Sequence, residues 1–514
     1  MIAYISRRIG VLLVILFGSS FLLYNLESLS GDPTEDLRLS LDPKAKYELL
    51  QLIHQLDLNT PAPIRYFKWL KGLLGVFTGH INFGLTRDMH SVTSELSGAI
   101  PTTLRLVTGS ALIALVLGLM LGIITALRQY SRFDYVVTFF SFLMFSLPIF
   151  WVAVLLKEFL AIRFNDFLGH SQIGIVWILL FSAITALFWA GVISRDSMRF
   201  VQILVGVFVV NFAFLELLNA VHWIQNPRLG PIVILLGSIG VAYGVTALST
   251  GLENRSALRA SLVMAGVTTV LYYPINWVFK KHSSGLIIFI LALLTVATAV
   301  AVGLALAKID RGPVVRTTVI SSLIMGGLIF IDRLMQSWKE YLTQDGVYGR
   351  PIPTVGQSDP LLSSSDFWIN TMDRFTHTIL PTVALTLISF AGYVRFSRGT
   401  MLEVLNQDYI RTARAKGLNE RTVIMRHAFR NTLIPISTIV VVDLAGIIGG
   451  AIITERVFGW HGMGTLFNQA IRSFDLNLLM GVFFVTATLS VLANLVADLL
   501  YTALDPRIRI GGGK

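Results

Sequence analysis

The residues of this sequence that could do chemistry form a basic segment between two apolar runs. Residues 409–417 read Tyr-Ile-Arg-Thr-Ala-Arg-Ala-Lys-Gly, and residues 426–431 read Arg-His-Ala-Phe-Arg-Asn. Guanidinium, ammonium and hydroxyl groups at this spacing can bind the polar or anionic groups of a partner surface. An ordinary basic loop held against lipid headgroups would carry the same charge, so charge alone leaves both interpretations open.

The local sequence predicts two short helices that meet at a glycine. Residues 412–416 favour a helix, and Gly417 can adopt the left-handed conformation that ends one. Asn419 is a good N-terminal cap for a second helix, which we expect to run on through Pro435 into the next apolar run. Such a hinged pair would project from a bilayer toward a soluble partner.

The order of residues in this segment resembles the EAA loop of binding-protein-dependent ABC importer permeases of the dipeptide/oligopeptide/nickel family. That loop reads Asp-Tyr-x-Arg-Thr-Ala-Arg-Ala-Lys-Gly-Leu and then Arg-His-Ala-x-Arg-Asn, and both parts stand here, at 408–418 and 426–431, with their spacing kept. The resemblance implies that cytoplasmic ATPases dock on this segment. It assigns ATPase coupling to these residues: Tyr409, Arg411, Thr412, Ala413, Arg414, Ala415, Lys416, Gly417, His427, Arg430 and Asn431.

The resemblance also implies individual roles within the segment. Ala413 and Ala415 are expected to keep the first helix thin enough to enter a groove of the ATPase, and Gly417 to set the turn. Arg430 and Asn431 are expected to tie the second helix to the membrane end. Three charged side chains are expected to dock against polar groups of the ATPase: Arg411, Arg414 and Lys416.

Composition indicates a membrane protein. The chain has 514 residues, of which 54% are hydrophobic and 14% charged, with a mean hydropathy of +0.70. Soluble domains carry about 25% charged residues, so we predict an all-α polytopic membrane protein. The net charge of +11 is then loop charge that faces an anionic leaflet, and no nucleic-acid partner is expected.

The sequence lacks the usual signatures of an enzyme. It contains no cysteine, which excludes disulfides and thiolate chemistry, and its nine histidines are scattered without metal-ligand spacing. It also lacks the glycine-rich loop with lysine that cradles ATP phosphates. We therefore predict no catalytic residue, no metal and no cofactor bound by this chain. The family resemblance implies that ATP and Mg²⁺ bind to separate partner ATPase subunits.

The resemblance divides the chain into three parts. Residues 1–164 correspond to the first half of a permease core, with an external domain at 27–98. Residues 375–514 correspond to the second half, with a cytoplasmic coupling loop at 395–431, whereas 165–374 read as an insertion. Further segments match the family: Gly31-Asp32-Pro33, 56–61, 65–70, 146–151, 376–381 and Asp505-Pro506-Arg507.

Apolar runs of about 20 residues, the length of a membrane span, predict about twelve spans. Six belong to the type I importer core: 9–26, 101–127, 135–162, 376–394, 433–454 and 478–503. Six lie in the insertion: 173–193, 200–221, 229–250, 260–279, 286–307 and 317–335. An even number is required because the insertion must leave and return on the external side. Lys280 and Lys281 fall in a loop that this scheme places outside, against the positive-inside rule.

A second set of residues is predicted to line the substrate path or an external gate: Pro148, Phe150, Trp151, Asp443, Glu455, Phe458 and Trp460. A proline within a span removes a helix hydrogen bond and bends the helix. Asp443 is an ionisable residue within a span, which is costly and often functional. Purely structural packing roles remain open for these residues. The adjacent Asp332 and Arg333 in the insertion read as a neutralised structural pair.

The sequence therefore predicts the permease subunit of an ATP-binding-cassette importer for short peptides. The resemblance implies a second homologous permease, two cytoplasmic ATPase domains and an external solute-binding protein as partners, besides membrane lipid. It places the chain in the bacterial cytoplasmic membrane as a multi-pass protein with cytoplasmic termini. Relatives handle nickel complexes, glutathione or oligosaccharides, and these stay open as substrates. An ion-coupled secondary transporter and a membrane scaffold are the alternatives from other classes.

Overall fold

The computed structural model of the chain describes residues 2–75, 79–170, 172–194, 196–307, 311–362 and 365–504. The predicted family segment Asp505-Pro506-Arg507, and with it the C-terminus, lies outside these residues. The side chain of Arg426 in the basic segment also lies outside the description.

The helices are numbered in chain order. The first part of the chain forms α1 (Ile2–Glu27), α2 (Glu35–Leu39), α3 (Ala45–Gln55), α4 (Ala62–Leu74), α5 (Val92–Leu127), α6 (Arg132–Ser146), α7 (Ile149–Leu156), a π-helical segment (Lys157–Ile162) and α8 (Arg163–His170). The middle part forms α9 (Ile175–Ile193), α10 (Ser197–Ala220), α11 (Gly230–Ser249), α12 (Arg255–Val270), α13 (Tyr272–Lys281), α14 (Gly285–Leu306), α15 (Arg311–Gln336) and α16 (Trp338–Leu342). The last part forms α17 (Phe367–Leu405), α18 (Asp408–Ala415), α19 (Glu420–Thr422), a π-helical segment (Val423–Ala428), α20 (Phe429–Gly450), α21 (Ile452–Phe458), α22 (Met463–Arg472) and α23 (Leu476–Leu504).

The predicted all-α polytopic fold is confirmed. In the part of the chain that the structure describes, nine helices are long and apolar enough to cross a membrane, or up to eleven if each of two bent helix pairs is one span. Helix α20 lies where the fifth core span is predicted. The predicted inserted spans correspond to α9, α10, α11, the bent pair α12–α13, α14 and α15.

The chain forms two compact units. Unit 1 comprises Met1–Glu158, Thr354–Gln357 and Thr378–Lys514, and unit 2 comprises Phe159–Pro353 and Ser358–His377.

The third core span is sharply bent, which corrects the prediction of a single kinked span at 135–162. Helix α6 and the helical stretch that begins at Ile149 meet at an angle of 103°. Leu147 is extended, as expected for a residue before proline, and Pro148 precedes the first residue of α7. A proline in the middle of a continuous helix bends it far less.

Two core helices are longer than their predicted spans. Helix α5 begins at Val92 rather than at residue 101 and contains Pro101. Helix α17 runs over 39 residues and exceeds the predicted span at both ends. Hydropathy marks only the apolar part of a helix. Polar residues at either end can continue the helix, so the helix extends beyond the predicted span.

The polar segment that follows α1 is packed in unit 1 rather than loosely solvated. Tyr24 of α1 and Tyr66 and Trp69 of α4 are buried in one cluster with Phe83. The Tyr66 hydroxyl lies 2.8 Å from the Ser20 hydroxyl. The Tyr66 ring also makes edge-to-face contacts with Tyr24 and Phe21, which add about 0.5–1.5 kcal/mol each beyond burial. The same cluster includes buried residues of α5, α22 and α23, so the segment shares one core with the rest of unit 1.

Unit 2 is held together by close helix packing through small residues. Helices α11, α12 and α15 contact one another. Their buried faces carry small residues: Ser238, Ala242, Thr246, Ala260, Ser261, Ala265, Thr318, Ser321 and Ser322. Small side chains let helices in a membrane approach closely.

A buried carboxylate fastens three helices of unit 2. Asp332 of α15 accepts hydrogen bonds from the backbone N–H groups of Leu229 (2.6 Å) and Gly230 (3.2 Å), at the start of α11. It also accepts from the Tyr272 hydroxyl of α13 (2.8 Å) and from the Gln336 amide (2.7 Å). A carboxylate at a helix N-terminus is stabilised by the helix dipole and by the free N–H groups there.

The interpretation of Asp332 and Arg333 as a mutually neutralised pair is therefore corrected. The two side chains have separate surroundings, because neighbours in a helix point in different directions. The Arg333 guanidinium lies 5.5 Å from the centre of the Trp368 ring.

Asp332→Ala should lower the stability of the protein markedly. The change leaves the Leu229 N–H and the Tyr272 hydroxyl without their acceptor, at about 1–3 kcal/mol for each buried group. Thermal unfolding in detergent measures the effect. Asp332→Asn keeps one acceptor oxygen, so its unfolding temperature should lie between those of wild type and Asp332→Ala. An alanine variant as stable as wild type would contradict this role.

Candidate functional site

The first helix of the basic segment, α18, ends in a Schellman motif. Gly417 has φ +77°, which confirms the predicted left-handed glycine. Its N–H donates to the Arg414 carbonyl (2.9 Å), and the Leu418 N–H donates to the Ala413 carbonyl (3.4 Å). These two bonds satisfy carbonyls that a helix C-terminus otherwise leaves free, so glycine fixes the direction in which the chain leaves α18.

The second helix begins two residues later. The Asn419 side chain accepts a hydrogen bond from the Thr422 N–H at 2.8 Å, which confirms the predicted cap. Helix α19 continues through the π-helical segment Val423–Ala428 into α20, which contains Pro435. The chain thus continues in helical form from this cap into α20, where the fifth core span is predicted.

One face of α18 packs inward. Ile410 and Ala413 are buried against Ala126 of α5, Met401 of α17 and Val423 of the π-helical segment. The predicted role of Ala413 in a partner's groove is corrected, since its side chain is only 7% exposed and lies within the chain's own core. This inward face anchors α18 on two long helices of unit 1.

The opposite face of α18 and the turn after it are exposed. We call this the coupling surface and define it by these residues: Tyr409, Arg411, Thr412, Ala415, Lys416 and Leu418. Sequence reasoning missed Leu418, which is 41% exposed, and the nearby Met425, which is 42% exposed. An apolar residue directly after a helix-ending glycine was the available signal. The surface combines positive charge with apolar groups, as protein-binding surfaces do.

Arg414 is engaged within its own chain. Its guanidinium donates to both oxygens of Glu420, at 3.2 and 2.6 Å, and so bridges the turn between α18 and α19. The pairing lowers the pKa of Glu420 and raises that of Arg414. Both side chains are largely exposed, so the pair contributes at most about 1 kcal/mol to stability. Arg414 therefore braces the turn within its own chain, and its docking against an ATPase stays a prediction.

The remaining residues of the basic segment lie on the second helix or at its contacts. The Asn431 amide donates to the Tyr409 hydroxyl at 2.9 Å, which joins α20 to the start of α18. His427 is half-buried in the π-helical segment, and Arg430 is exposed. Arg411 forms an exposed ion pair with Asp408 at 3.6 Å.

The predicted external stretch contains a buried carboxylate network. Glu455 is fully buried, and it accepts hydrogen bonds from the Thr103 hydroxyl (2.6 Å) and from the Thr465 N–H (2.9 Å). The Thr103 hydroxyl in turn accepts from the Met463 N–H at 2.8 Å. A Cβ at Gly462 would overlap both the Glu455 carboxylate and the Thr103 hydroxyl, so only glycine fits there. The network joins α5, α21 and α22.

Two aromatic residues of the same stretch are also buried. Phe458 and Trp460 are 2% and 1% exposed. The Lys157 ammonium lies 5.2 Å from the Phe458 ring centre and donates to the Val457 carbonyl at 2.5 Å. Lys157 and Thr103 were missed by sequence reasoning because each is hundreds of residues away from its partner along the chain.

The other predicted path residues are not gathered with Glu455. Phe150 and Trp151 of α7 are 47% and 55% exposed, and Pro148 is exposed at the bend before them. Asp443 of α20 is half-buried and lies near the Tyr393 hydroxyl of α17. Helix α7 does contact α21, the helix that carries Glu455.

The environment of Glu455 predicts how the stability of the protein changes with pH. Burial raises the pKa of its carboxyl above the ordinary value, and hydrogen bonds from Thr103 and Thr465 oppose that shift only in part. For an acid whose pKa is raised in the folded state, the stabilising contribution is fully present below the unfolded-state pKa. It is lost as pH rises through the folded-state pKa.

We therefore expect the stability of wild type relative to Glu455→Gln, which does not titrate, to fall as pH is raised from about 4 to about 8. Unfolding temperatures of both proteins over that range measure it. A difference that stays constant or grows with pH would contradict the assigned environment of Glu455.

Comparison with known proteins identifies a family. The family model described as "Binding-protein-dependent transport system inner membrane component" matches residues 245–510, just over half of the chain. The match begins within the predicted insertion.

Individual relatives share parts of the chain. The oligopeptide transport system permease protein OppB of Mycobacterium tuberculosis is 35% identical over 189 residues, which are 37% of this chain and 56% of that protein. AppB of Bacillus subtilis, also an oligopeptide permease protein, is 45% identical over 139 residues, 27% of this chain and 44% of the relative. The dipeptide permease protein DppB of Escherichia coli K12 is 44% identical over 140 residues, which are 27% of this chain and 41% of that protein. The chain thus spans about half the length of the curated relatives that it matches.

Proposed function

Because the chain belongs to the family of binding-protein-dependent transport system inner membrane components, we propose that it is the permease subunit of an ATP-driven importer for short peptides. The observation that carries this proposal is the two-faced helix α18. Its inward face is fixed on the ends of long helices, and its outward face is exposed, basic and partly apolar. A segment of this design can transmit the movement of a bound partner into the membrane helices.

In this proposal the coupling surface binds a cytoplasmic ATPase domain, and a second, similar permease binds another. ATP and Mg²⁺ bind to those ATPases and not to this chain. Closure of the ATPases on nucleotide moves α18, and the buried contacts of Ile410 and Ala413 pass the movement to α5 and α17. The two permeases then alternate between outward-open and inward-open forms.

We assign the external side to the end of the molecule that carries the Glu455 network, with both termini in the cytoplasm of a bacterial cell. A solute-binding protein would deliver the peptide there. The segments that resemble the peptide-permease family around Gly31, Leu56 and Arg65 line one cavity of about 330 Å³ in unit 1. That cavity and its rim are a suitable contact for the binding protein.

The exposed Phe150 and Trp151 of α7 suit the interface with the second permease.

The peptide substrate follows from the names of the relatives, which are oligopeptide and dipeptide permease proteins. Uptake of a radiolabelled tripeptide by cells that lack the chromosomal copy, with and without the plasmid-borne chain, tests it. We expect plasmid-dependent uptake that unlabelled peptides inhibit and that nickel complexes, glutathione and oligosaccharides do not. Inhibition by one of these three instead would identify a different substrate within the same machinery.

Energy coupling separates the importer from an ion-coupled transporter. We expect uptake to stop when cellular ATP is depleted with the proton gradient maintained, and to continue when an ionophore collapses the gradient with ATP maintained. The reverse pattern would overturn the importer proposal, and loss of all uptake dependence on the chain would favour a scaffold.

A further inference from the structure

Helix α13 in unit 2 has the features of a helix at a membrane interface. It is bent by 49° from α12, and it ends with Lys280 and Lys281. Trp277 is 60% exposed on the same helix, and the Lys281 ammonium lies 5.2 Å from its ring centre. Tryptophan and lysine side chains of this kind lie at the level of lipid headgroups.

The positive charges of Lys280 and Lys281 are available to a ligand. Both are exposed, and in the described part of the chain no carboxylate forms an ion pair with either of them. They are also the lysines that the positive-inside rule does not explain, because the span count puts their loop on the external side. Binding of an anionic ligand would explain two adjacent lysines in a loop on the external side.

An apolar cavity of about 290 Å³ lies against the same helix. Its walls come from Ile275 and Phe279 of α13, from α14 including Leu291, and from α15 including Gly326 and Phe330. A side-chain carbon added at Gly326 would meet nothing within 4 Å, so the cavity is open at that point. An open cavity with apolar walls suits a hydrocarbon chain.

We propose that this part of unit 2 binds one anionic phospholipid. An acyl chain fills the cavity between α13, α14 and α15, and the phosphate group pairs with Lys280 and Lys281. Phe279, which lines the cavity, and the two lysines are the last three residues of α13, so the tail site and the headgroup site lie at the same end of one helix. Two adjacent positive charges favour an anionic headgroup over a zwitterionic one.

The bound lipid has a structural consequence. It fills space that the three helices leave open and gives the exposed ammonium groups a partner. Because it binds the folded chain, it must raise the apparent stability by mass action. The inference concerns unit 2 alone and does not depend on the transported solute.

The test uses the purified full-length chain, delipidated in a neutral detergent. Phosphatidylglycerol should raise its unfolding temperature by about 4 °C or more in a saturable manner. Phosphatidylcholine with the same acyl chains should raise it much less. Native mass spectrometry should show one retained phosphatidylglycerol.

Two variants test the two halves of the site. Lys280→Gln with Lys281→Gln should lose the phosphatidylglycerol increment, whereas Arg255→Gln with Arg259→Gln, a basic pair on α12, should keep it. Gly326→Leu should fill the cavity and also lose the increment. Gly240→Leu on α11, where an added carbon likewise meets nothing within 4 Å, should keep it.

Unfolding temperatures without lipid show whether each variant is folded, and the mass spectra report binding independently of stability. Equal increases of the unfolding temperature with phosphatidylglycerol and phosphatidylcholine would overturn the proposal. It would also be overturned if the double lysine variant or Gly326→Leu kept both the phosphatidylglycerol increase and the retained lipid.

Discussion

Gly417→Pro should reduce solute uptake roughly tenfold or more, while the chain still inserts into the membrane at the wild-type level. The native glycine has φ +77° and donates its N–H to the Arg414 carbonyl. Proline fixes φ near −65° and has no N–H, so the Schellman turn cannot form. The coupling surface would then leave its position relative to α20, and a loss of about 1.4 kcal/mol in the coupled step already means tenfold in rate.

Gly417→Asn is the matched control, because asparagine tolerates the left-handed conformation and keeps the N–H. No neighbouring atom lies within 4 Å of an added Cβ at this position, so a side chain does not clash. The asparagine variant should retain most of the uptake. Equal uptake by the proline variant and wild type would show that the turn has no part in coupling.

Glu455→Leu should lower both the unfolding temperature and the uptake rate severely. It leaves the Thr103 hydroxyl and the Thr465 N–H without an acceptor in a buried place, at about 1–3 kcal/mol for each group. Glu455→Gln keeps one acceptor oxygen and should lie between leucine and wild type. Thermal unfolding in detergent and uptake by whole cells measure the two effects.

The partner side of the network gives an independent control. Thr103→Val keeps the shape but removes the hydroxyl that donates to Glu455 and accepts from the Met463 N–H. Thr103→Ser keeps the hydroxyl and should cost only the small packing loss of one methyl group. If valine and serine are equally stable, the hydroxyl does not join α5 to the external stretch.

The local features of the basic segment could be predicted because they depend on neighbours in sequence. A helix-ending glycine and an asparagine cap act over three or four residues, and Gly417 and Asn419 are as predicted. The inserted helices were predictable for a related reason, since length and hydropathy suffice to define a span. The family resemblance rested on the order of residues in the basic segment and in further short segments along the chain.

Other features depend on contacts that the sequence does not encode locally. Ala413 faces inward because Ile410, one turn earlier, docks on α5 and α17, and small residues fit either face of a helix. Thr103 and Glu455 are 352 residues apart along the chain. The sharp bend at Pro148 exceeds what a single proline implies, because the residues after it begin a new helix.

The most direct test of the coupling proposal uses the absence of cysteine from the chain. Ala415→Cys introduces one thiol on the exposed face of α18, and Ala413→Cys introduces one on the buried face. Each variant, expressed with its own ATPase subunits, is treated in membranes with a short thiol-to-amine cross-linker. We predict a cross-link from residue 415 to an ATPase subunit and none from residue 413. Absence of any cross-link from 415 while the ATPase is present in the same membranes would contradict the account.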